Sequence, residues 1–264
     1  MPGRQNHKTM GSALLFGLIG YPLSHSFSKR YFSAKFTAEG LADRYQYELF
    51  PLKDIADLPA LLHACPQLRG LNVTLPYKSA VIPYLSSYSA EVSQIGAVNV
   101  IDITSEGLRG YNTDVVGFEV SLRGLLEKAA AAPAQALVLG SGGSSKAVCW
   151  VLQKLQIPYR LVSRRGSADT ISYEALDRDI MSNSQLIINT TPLGMYPETD
   201  ACPPIRYDWI SSRHLLFDLV YNPEETLFLQ RGKAAGARVQ GGLDMLYAQA
   251  EAAWQIWSAN SQTK

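Results

Sequence analysis

The stretch Ala136–Trp150, reading ALVLGSGGSSKAVCW, constrains this chain more than any other. Ala136 to Leu139 is an apolar run of strand length, and from Ser145 onward Ala147, Val148 and Val151 recur on one helical side. A glycine-rich turn separates the two. Strand, glycine turn and helix open a βαβ unit, in which the first helical N–H groups and the helix dipole favour a phosphate in the turn. In that reading Gly140 makes the tight turn, Gly142 allows close backbone approach, and Ser141, Gly143 and Ser144 complete the loop. The spacing is G-x-G-x-x-S, with Ser145 third, so an ordinary glycine-containing connection remains open at this point. Two rival motifs come close and fail. A phosphate loop needs Gly before its Lys and Ser or Thr after it, but Ser145 precedes Lys146 and Ala147 follows it; a nucleophile elbow needs G-x-S-x-G, and Lys146 holds the last place.

The next strand ends Ser163-Arg164-Arg165-Gly166, about twenty residues beyond the glycine turn. There an acid would hold the ribose 2′-hydroxyl of NAD, whereas arginine accommodates the 2′-phosphate of NADP. Two adjacent arginines without an acid are either solvated surface or an NADP signal, and their place after the glycine turn favours NADP. Downstream, a helix near 173–180, strands at 185–189 and 215–220 and a helix at 224–235 continue the alternation, which implies a parallel sheet. A long helix runs from Gly242 past Trp257, and Ala129–Ala134 marks a linker before the unit.

The totals narrow the function classes. A net charge of +1 gives no electrostatic case for nucleic acid or a membrane surface. Cys65, Cys149 and Cys202 are far apart, and His7, His25, His63 and His214 show no ligand spacing, so neither a disulfide framework nor a metal site is expected. The apolar stretch Ala13–Gly20 follows basic residues as a signal peptide would, but it is short, broken by Gly17 and Gly20 and lacks a small-residue cleavage site. It reads as a buried strand over 14–19, behind a polar leader at 1–11, in a cytoplasmic protein.

In the first half, Ser24-His25-Ser26 and Ser28 follow that strand and precede a helix of about ten residues, where hydroxyls either cap the helix or contact a ligand. Tyr45–Phe50 alternates as a strand, and Asp54–His63 has helical spacing. Gly70–Leu75 reads as a strand stopped by Pro76, with Leu71, Val73 and Leu75 on one face and Asn72 and Thr74 on the other; Lys78 opens the next helix. Gln94–Ile101 reads as another strand, with Asn99 an amide that must find partners among apolar neighbours. Asp114, before an apolar helix, is either its cap or part of a site.

Taken together, His25-Ser-Phe-Ser28, Asn72-Val-Thr-Leu-Pro-Tyr-Lys78, Gly96-Ala-Val-Asn99, Tyr111-Asn-Thr-Asp114, Gly140-Ser-Gly-Gly-Ser144, Asn189-Thr-Thr-Pro-Leu-Gly194, Asp218-Leu-Val-Tyr-Asn-Pro223 and Gly242–Gln249 make the chain resemble the shikimate dehydrogenase family from Gly17 to Trp257. The resemblance implies an α/β protein of two domains around a cleft. An N-terminal α/β substrate domain would take 1–118, with 242–264 returning to it, and a Rossmann-type NADP-binding domain would take 119–241. It implies NADPH-dependent reduction of 3-dehydroshikimate to shikimate, by a monomer or homodimer. Ser26 and Ser28 would bind the substrate carboxylate. Thr74, Lys78, Asn99, Asp114 and Gln249 would hold its hydroxyls, with Tyr221 nearby. Leu219 and Gly242 would line the nicotinamide, and the 140–144 turn with Ser163, Arg164 and Arg165 would hold the rest of NADP. Lys78 and Asp114 would be catalytic, the ammonium supplying the proton that a reduced ketone oxygen needs. Lys29, Ser79 and Ser163-Arg164-Arg165 depart from the family's usual Pro, Glu and Asn-Arg-Thr. The alternatives are a quinate or aminoshikimate dehydrogenase of the same fold and a non-catalytic NADP-binding regulatory protein.

Overall fold

A computed structural model describes residues 13–23, 26–129 and 132–261; the expected leader at 1–11 and His25 lie outside these residues. Two compact units divide the chain, one drawn from residues 1–88, 98–110 and 257–264, the other from 89–97 and 111–256.

In the first unit, β1 (Leu14–Gly20) lies between β2 (Tyr45–Pro51) and β3 (Leu68–Val73), parallel to both. A strand flanked on both edges and covered on both faces has no polar side to show, which is why its sequence imitates a leader. β3 pairs antiparallel with β5 (Val100–Thr104), and β6 (Gly107–Tyr111) and β4 (Ser87–Tyr88) complete the order β2-β1-β3-β5-β6-β4. Two helices, α1 (Ser28–Ala38) and α2 (Leu58–Ala64), belong to this unit. From α1, Phe32 and Phe36 enter an aromatic cluster with Phe16, Tyr45, Tyr47 and Trp257. Phe32 stacks on Tyr47 at 4.6 Å and Phe16 on Trp257 at 5.0 Å between ring centroids. Gly70 is glycine because the Trp257 pyrrole ring occupies the space a Cβ would take, 2.5 Å from Cδ1 and 2.6 Å from Cε2. The indole N–H donates to Ile101 O at 3.0 Å, so the ring is both packed and satisfied.

The second unit holds α3 (Ala90–Ile95), α4 (Asp114–Glu127), β7 (Ala136–Leu139), α5 (Gly143–Lys154), β8 (Tyr159–Ser163), β9 (Thr170–Ser172), α6 (Arg178–Asn183), β10 (Leu186–Asn189), β11 (Leu215–Asp218), α7 (Leu227–Ala234), β12 (Arg238–Gln240) and most of α8 (Leu243–Ser261). Its sheet is parallel throughout, in the order β12-β11-β10-β7-β8-β9. Counted within the unit this is 6-5-4-1-2-3, the doubly-wound dinucleotide-binding order. Both faces are covered. Ala136, Val138, Ile188 and Phe217 pack with Phe118 and Leu122 of α4 and Val148 and Leu152 of α5, while Leu137, Leu139, Ile187 and Leu216 pack with Met181, Phe228 and Leu229. The helix α4 lies backbone against backbone on α8, since a Cβ on Gly117 would sit 2.5 Å from Met245 O. Phe118 and Leu122 of α4 and Met245 of α8 belong to the same core cluster as the parallel strands.

Four sequence expectations are corrected. Gln94–Ile101 is not one strand: α3 ends at Ile95, Gly96 closes it at φ +65° with its N–H on Val92 O, and the strand starts at Val100. Leu75 does not share the buried face of Leu71 and Val73, because β3 ends at Val73 and leaves Leu75 73% exposed. Lys78 lies in a turn rather than at a helix start, and the helix expected near 173–180 is a 3₁₀ turn at Tyr173–Ala175 followed by α6. Among the described residues no helix is long and apolar enough to cross a membrane, and no group of three or more His, Cys, Asp or Glu could hold a metal ion.

Candidate active site

The glycine turn sits at the carboxyl end of β7, beside β10, where the strand order reverses and doubly-wound sheets bind their ligands. Gly140 has φ +108°, and a Cβ there would meet Thr190 Oγ1 at 2.8 Å and Thr191 Cγ2 at 2.9 Å, so conformation and space both require glycine. Gly142 is the N-cap of α5 and brings no side chain to the helix end. A Cβ on Gly142 or Gly143 would meet no atom within 4 Å. Protein packing therefore does not explain these two glycines. They leave the first N–H groups of a twelve-residue helix open, which suits a phosphate. Ser145, at the third motif position, is buried and donates its hydroxyl to Gly142 O at 2.6 Å, closing the turn as glycine packing otherwise would. Ser141 is exposed and Ser144 half-buried beside it.

At the end of β8, Ser163 Oγ accepts from Gly166 N–H at 3.2 Å and shares a hydrogen bond with Thr170 Oγ1 at 2.8 Å. These bonds shape the bend and leave Arg164 and Arg165 exposed on it. Arg164 lies near enough to Tyr173 that its charge works against the burial that raises the phenol's pKa. Residues 140–144 and the arginine pair thus end adjacent parallel strands, as a nucleotide's pyrophosphate and adenosine ribose require.

A buried polar cluster fills the ends of β10 and β11. Asp218 accepts from Asn189 Nδ2 (2.9 Å), Val220 N–H (3.0 Å) and Thr226 Oγ1–H (2.5 Å), and Asn189 Oδ1 accepts from Thr191 N–H and Oγ1–H. Desolvation outweighs these donors and pushes the Asp218 carboxyl up to about 6. Just beyond, Leu219 and Gly242 are in contact. Gly242 N–H donates to Val220 O at 3.1 Å, and a Cβ on Gly242 would lie 2.7 Å from the Leu219 carbonyl carbon. Tyr221 follows, its phenol raised by burial.

Asp114 is buried in the first turn of α4 but does not cap it: its own N–H is taken by Asn112 Oδ1 at 3.1 Å, while Asn112 Nδ2 donates to Ala97 O at 2.9 Å. Gln249, on α8, lies against α4 at Gly117, where a Cβ would come 3.1 Å from Gln249 Cβ.

In the first unit the expected residues gather at the ends of β1, β3 and β5. Ser26 Oγ accepts from Ser28 N–H at 3.3 Å; the N-cap of α1 is Phe27, so neither hydroxyl is the cap. Ser28 lies close enough to the buried Tyr47 hydroxyl to work against the burial that raises this phenol's pKa. Tyr47 donates to Asn72 Oδ1 at 2.6 Å, and Asn72 Nδ2 to Asn99 O at 3.4 Å, which ties Ser28 to the strand end carrying Asn99. Thr74 N–H is held by Ile19 O at 2.9 Å, and Lys78 O accepts from Val98 N–H at 2.7 Å, which fixes the turn bearing the half-buried lysine. Sequence reasoning missed Tyr47, Asn189, Asp218 and Thr226 as supports. Asn189 and Asp218 open two of the motifs that carry the resemblance, but nothing in those motifs pairs them, and Asn72 was legible as a polar residue on Thr74's face.

This fold, with its glycine turn at the switch point and cations ending the second strand, defines a Rossmann-type dinucleotide-binding protein. Comparison with known proteins then fixes the family. A model described as the shikimate dehydrogenase substrate binding domain matches residues 18–101. A shikimate dehydrogenase (NADP(+)) of Clostridium beijerinckii is 38% identical, covering 92% of this chain and 91% of its own. The structure of shikimate 5-dehydrogenase from Thermus thermophilus in complex with NADP(H) and shikimate superposes with TM-score 0.80 at 30% identity, over 93% of this chain and 94% of that one. Quinate dehydrogenase from Corynebacterium glutamicum in complex with NAD gives TM-score 0.82 at 27% identity, over 94% of both. The chain belongs to the shikimate dehydrogenase family.

Proposed function

We propose that Lys78 and Asp114 carry the catalysis of NADPH-dependent reduction of 3-dehydroshikimate to shikimate, the reaction of this family. Support comes chiefly from the first unit, where Ser26, Ser28, Thr74, Lys78 and Asn99 lie at strand ends tied by the Tyr47–Asn72 bond and the Lys78–Val98 bond. The residues present fit NADP: uncapped α5 amides over open glycines suit its pyrophosphate, and Arg164 and Arg165 its 2′-phosphate. When bound, NADPH supplies a hydride to the ketone carbon. Lys78 gives the oxygen its proton as general acid, and Asp114 keeps that ammonium charged and oriented. Ser26 and Ser28 hold the carboxylate by hydroxyl donation. Thr74, Asn99, Tyr221 and Gln249 orient the ring hydroxyls, while Leu219 and Gly242 form the surface beside the nicotinamide. In this reading the substrate domain is 1–118 with 242–264, the NADP domain is 119–241, and the enzyme works in the cytoplasm as a monomer or homodimer.

The test is a steady-state assay on 3-dehydroshikimate with NADPH and NADH, and on quinate with either oxidised nucleotide. Lys78→Ala lowers kcat by about 10²–10⁴ with little change in KM, as loss of a general acid does. A variant near wild-type kcat removes Lys78 from the mechanism. Likeness to the NAD-bound quinate dehydrogenase makes quinate oxidation the second reading, and turnover of quinate but not 3-dehydroshikimate would select it.

A further inference from the structure

Asp218 is completely buried, at the end of β11, and no step of the reaction above uses it. Its Oδ1 takes Asn189 Nδ2–H and Val220 N–H, and its Oδ2 takes Thr226 Oγ1–H. All three partners donate here, and an acceptor-only carboxylate satisfies them together.

Two of the three bonds lead outward to the cofactor-binding residues. Through Asn189, whose Oδ1 holds both Thr191 N–H and Thr191 Oγ1–H, Asp218 sets the turn that packs over Gly140. Thr190, next in that turn, donates to Leu139 O at 2.8 Å, just before the glycine. Through Val220, whose carbonyl receives Gly242 N–H, it sets the contact of Leu219 with Gly242. The third bond leads elsewhere, to Thr226, which caps α7 by accepting from Leu229 N–H at 3.4 Å. Burial raises the carboxyl, so an ionised Asp218 is costly to the fold, and stability alone does not explain it.

We propose that Asp218 is a positioning residue for the dinucleotide, fixing through Asn189 and Val220 both the Gly140 turn and the Leu219–Gly242 contact. This rests on the reading of those residues as the NADP site. The carboxylate does not touch the cofactor; it sets the spacing of two loops that do.

The geometry separates this role from a purely structural one, because Thr226 belongs to the cluster but not to either loop. NADPH binding is measured directly, by the fluorescence change on titration into purified protein without substrate, alongside thermal unfolding. Asp218→Ala, which loses both loop bonds, weakens NADPH binding by about 10–100-fold, as loss of hydrogen bonds to a charged group does. Asp218→Asn restores binding to within about threefold, since its Oδ1 still accepts from Asn189 and Val220 while Thr226 Oγ1 turns to accept from the new amide. Thr226→Val lowers the melting temperature but leaves NADPH affinity within about twofold, because the lost cap belongs to α7 alone. Asn189→Ala, which keeps the carboxylate but loses its bond to Asn189 together with both Thr191 bonds, weakens binding by about 5–10-fold and serves if Asp218→Ala does not fold.

Equal losses of affinity in Thr226→Val and Asn189→Ala, or unchanged affinity in Asp218→Ala, overturn the proposal and leave the NADP reading intact. A wild-type protein that does not bind NADPH in the same titration overturns both.

Discussion

Replacing Gly70 by alanine tests the packing that joins the first sheet to the C-terminal helix. The new Cβ would sit 2.5 Å from Trp257 Cδ1 and 2.6 Å from Cε2, closer than real Cβ contacts come, so the indole has to move. It has little room, being 1% exposed, stacked on Phe16 at 5.0 Å and tilted against Phe32 at 5.5 Å. Moving it also stretches the 3.0 Å bond from its N–H to Ile101 O. Overpacking of this kind costs about 1–3 kcal/mol, and a lost buried hydrogen bond about 1 kcal/mol. Alanine recovers roughly 0.4–1 kcal/mol through the unfolded chain. The net loss is about 1–3.5 kcal/mol, read as a lower urea midpoint by tryptophan fluorescence and circular dichroism. The clash is with the pyrrole ring, which is bonded to Cβ and whose place a Phe ring would largely take, so Trp257→Leu, which has no ring, is the background that relieves it. In that background Gly70→Ala costs less by about 1 kcal/mol or more. A loss under about 1 kcal/mol, or the same loss in both backgrounds, refutes the reasoning.

Asp218 gives a pH prediction of definite sign. Its folded value of about 6 exceeds the usual 3.8, so the folded state holds this proton more tightly; the stability this contributes is present at low pH and lost as pH rises through about 4 to 6. Relative to Asp218→Asn, the wild type therefore weakens between pH 4 and 7 by up to about 3 kcal/mol, and a wild type that holds or gains stability relative to the variant as pH rises in urea titrations contradicts this. Tyr47→Phe keeps the ring on Phe32 but strips Asn72 Oδ1 of its 2.6 Å donor, costing about 1–3 kcal/mol; an unchanged thermal midpoint would mean that Asn72 finds another partner. Replacing both Arg164 and Arg165 by alanine lowers NADPH affinity by about tenfold or more and spares NADH, and equal losses for the two nucleotides would remove the pair from 2′-phosphate binding.

The parallel sheet was legible because its strands are buried on both faces and appear as unbroken apolar runs, such as Ala136–Leu139, followed by glycine and a helix. The same signal misled at Val98, Val100 and Ile101, where Gly96 in the left-handed region divides an apolar run into a helix end and a strand. Leu75 continued an alternation whose hydrogen-bonded ladder had already stopped at Val73. The short strands β4, β9 and β12 carry two or three residues each, too few for any period to show. Residues that touch a ligand stood in recognisable motifs. Those that hold them in place depend on pairings such as Tyr47 with Asn72 and Asn189 with Asp218, which only the strand order creates.

Trp257 carries a consequence for how the molecule is made. The hollow over Gly70 belongs to a sheet whose strands all lie within residues 14–111, yet the ring that fills it leaves the ribosome after the whole parallel sheet. Biosynthesis thus runs against assembly order: the first sheet to emerge is the last to be completed. Until then Phe16, Phe32 and Tyr47 of the nascent first unit surround an unfilled gap. A chain ending before residue 257 would keep every strand of both sheets but lose the ring that fills this hollow.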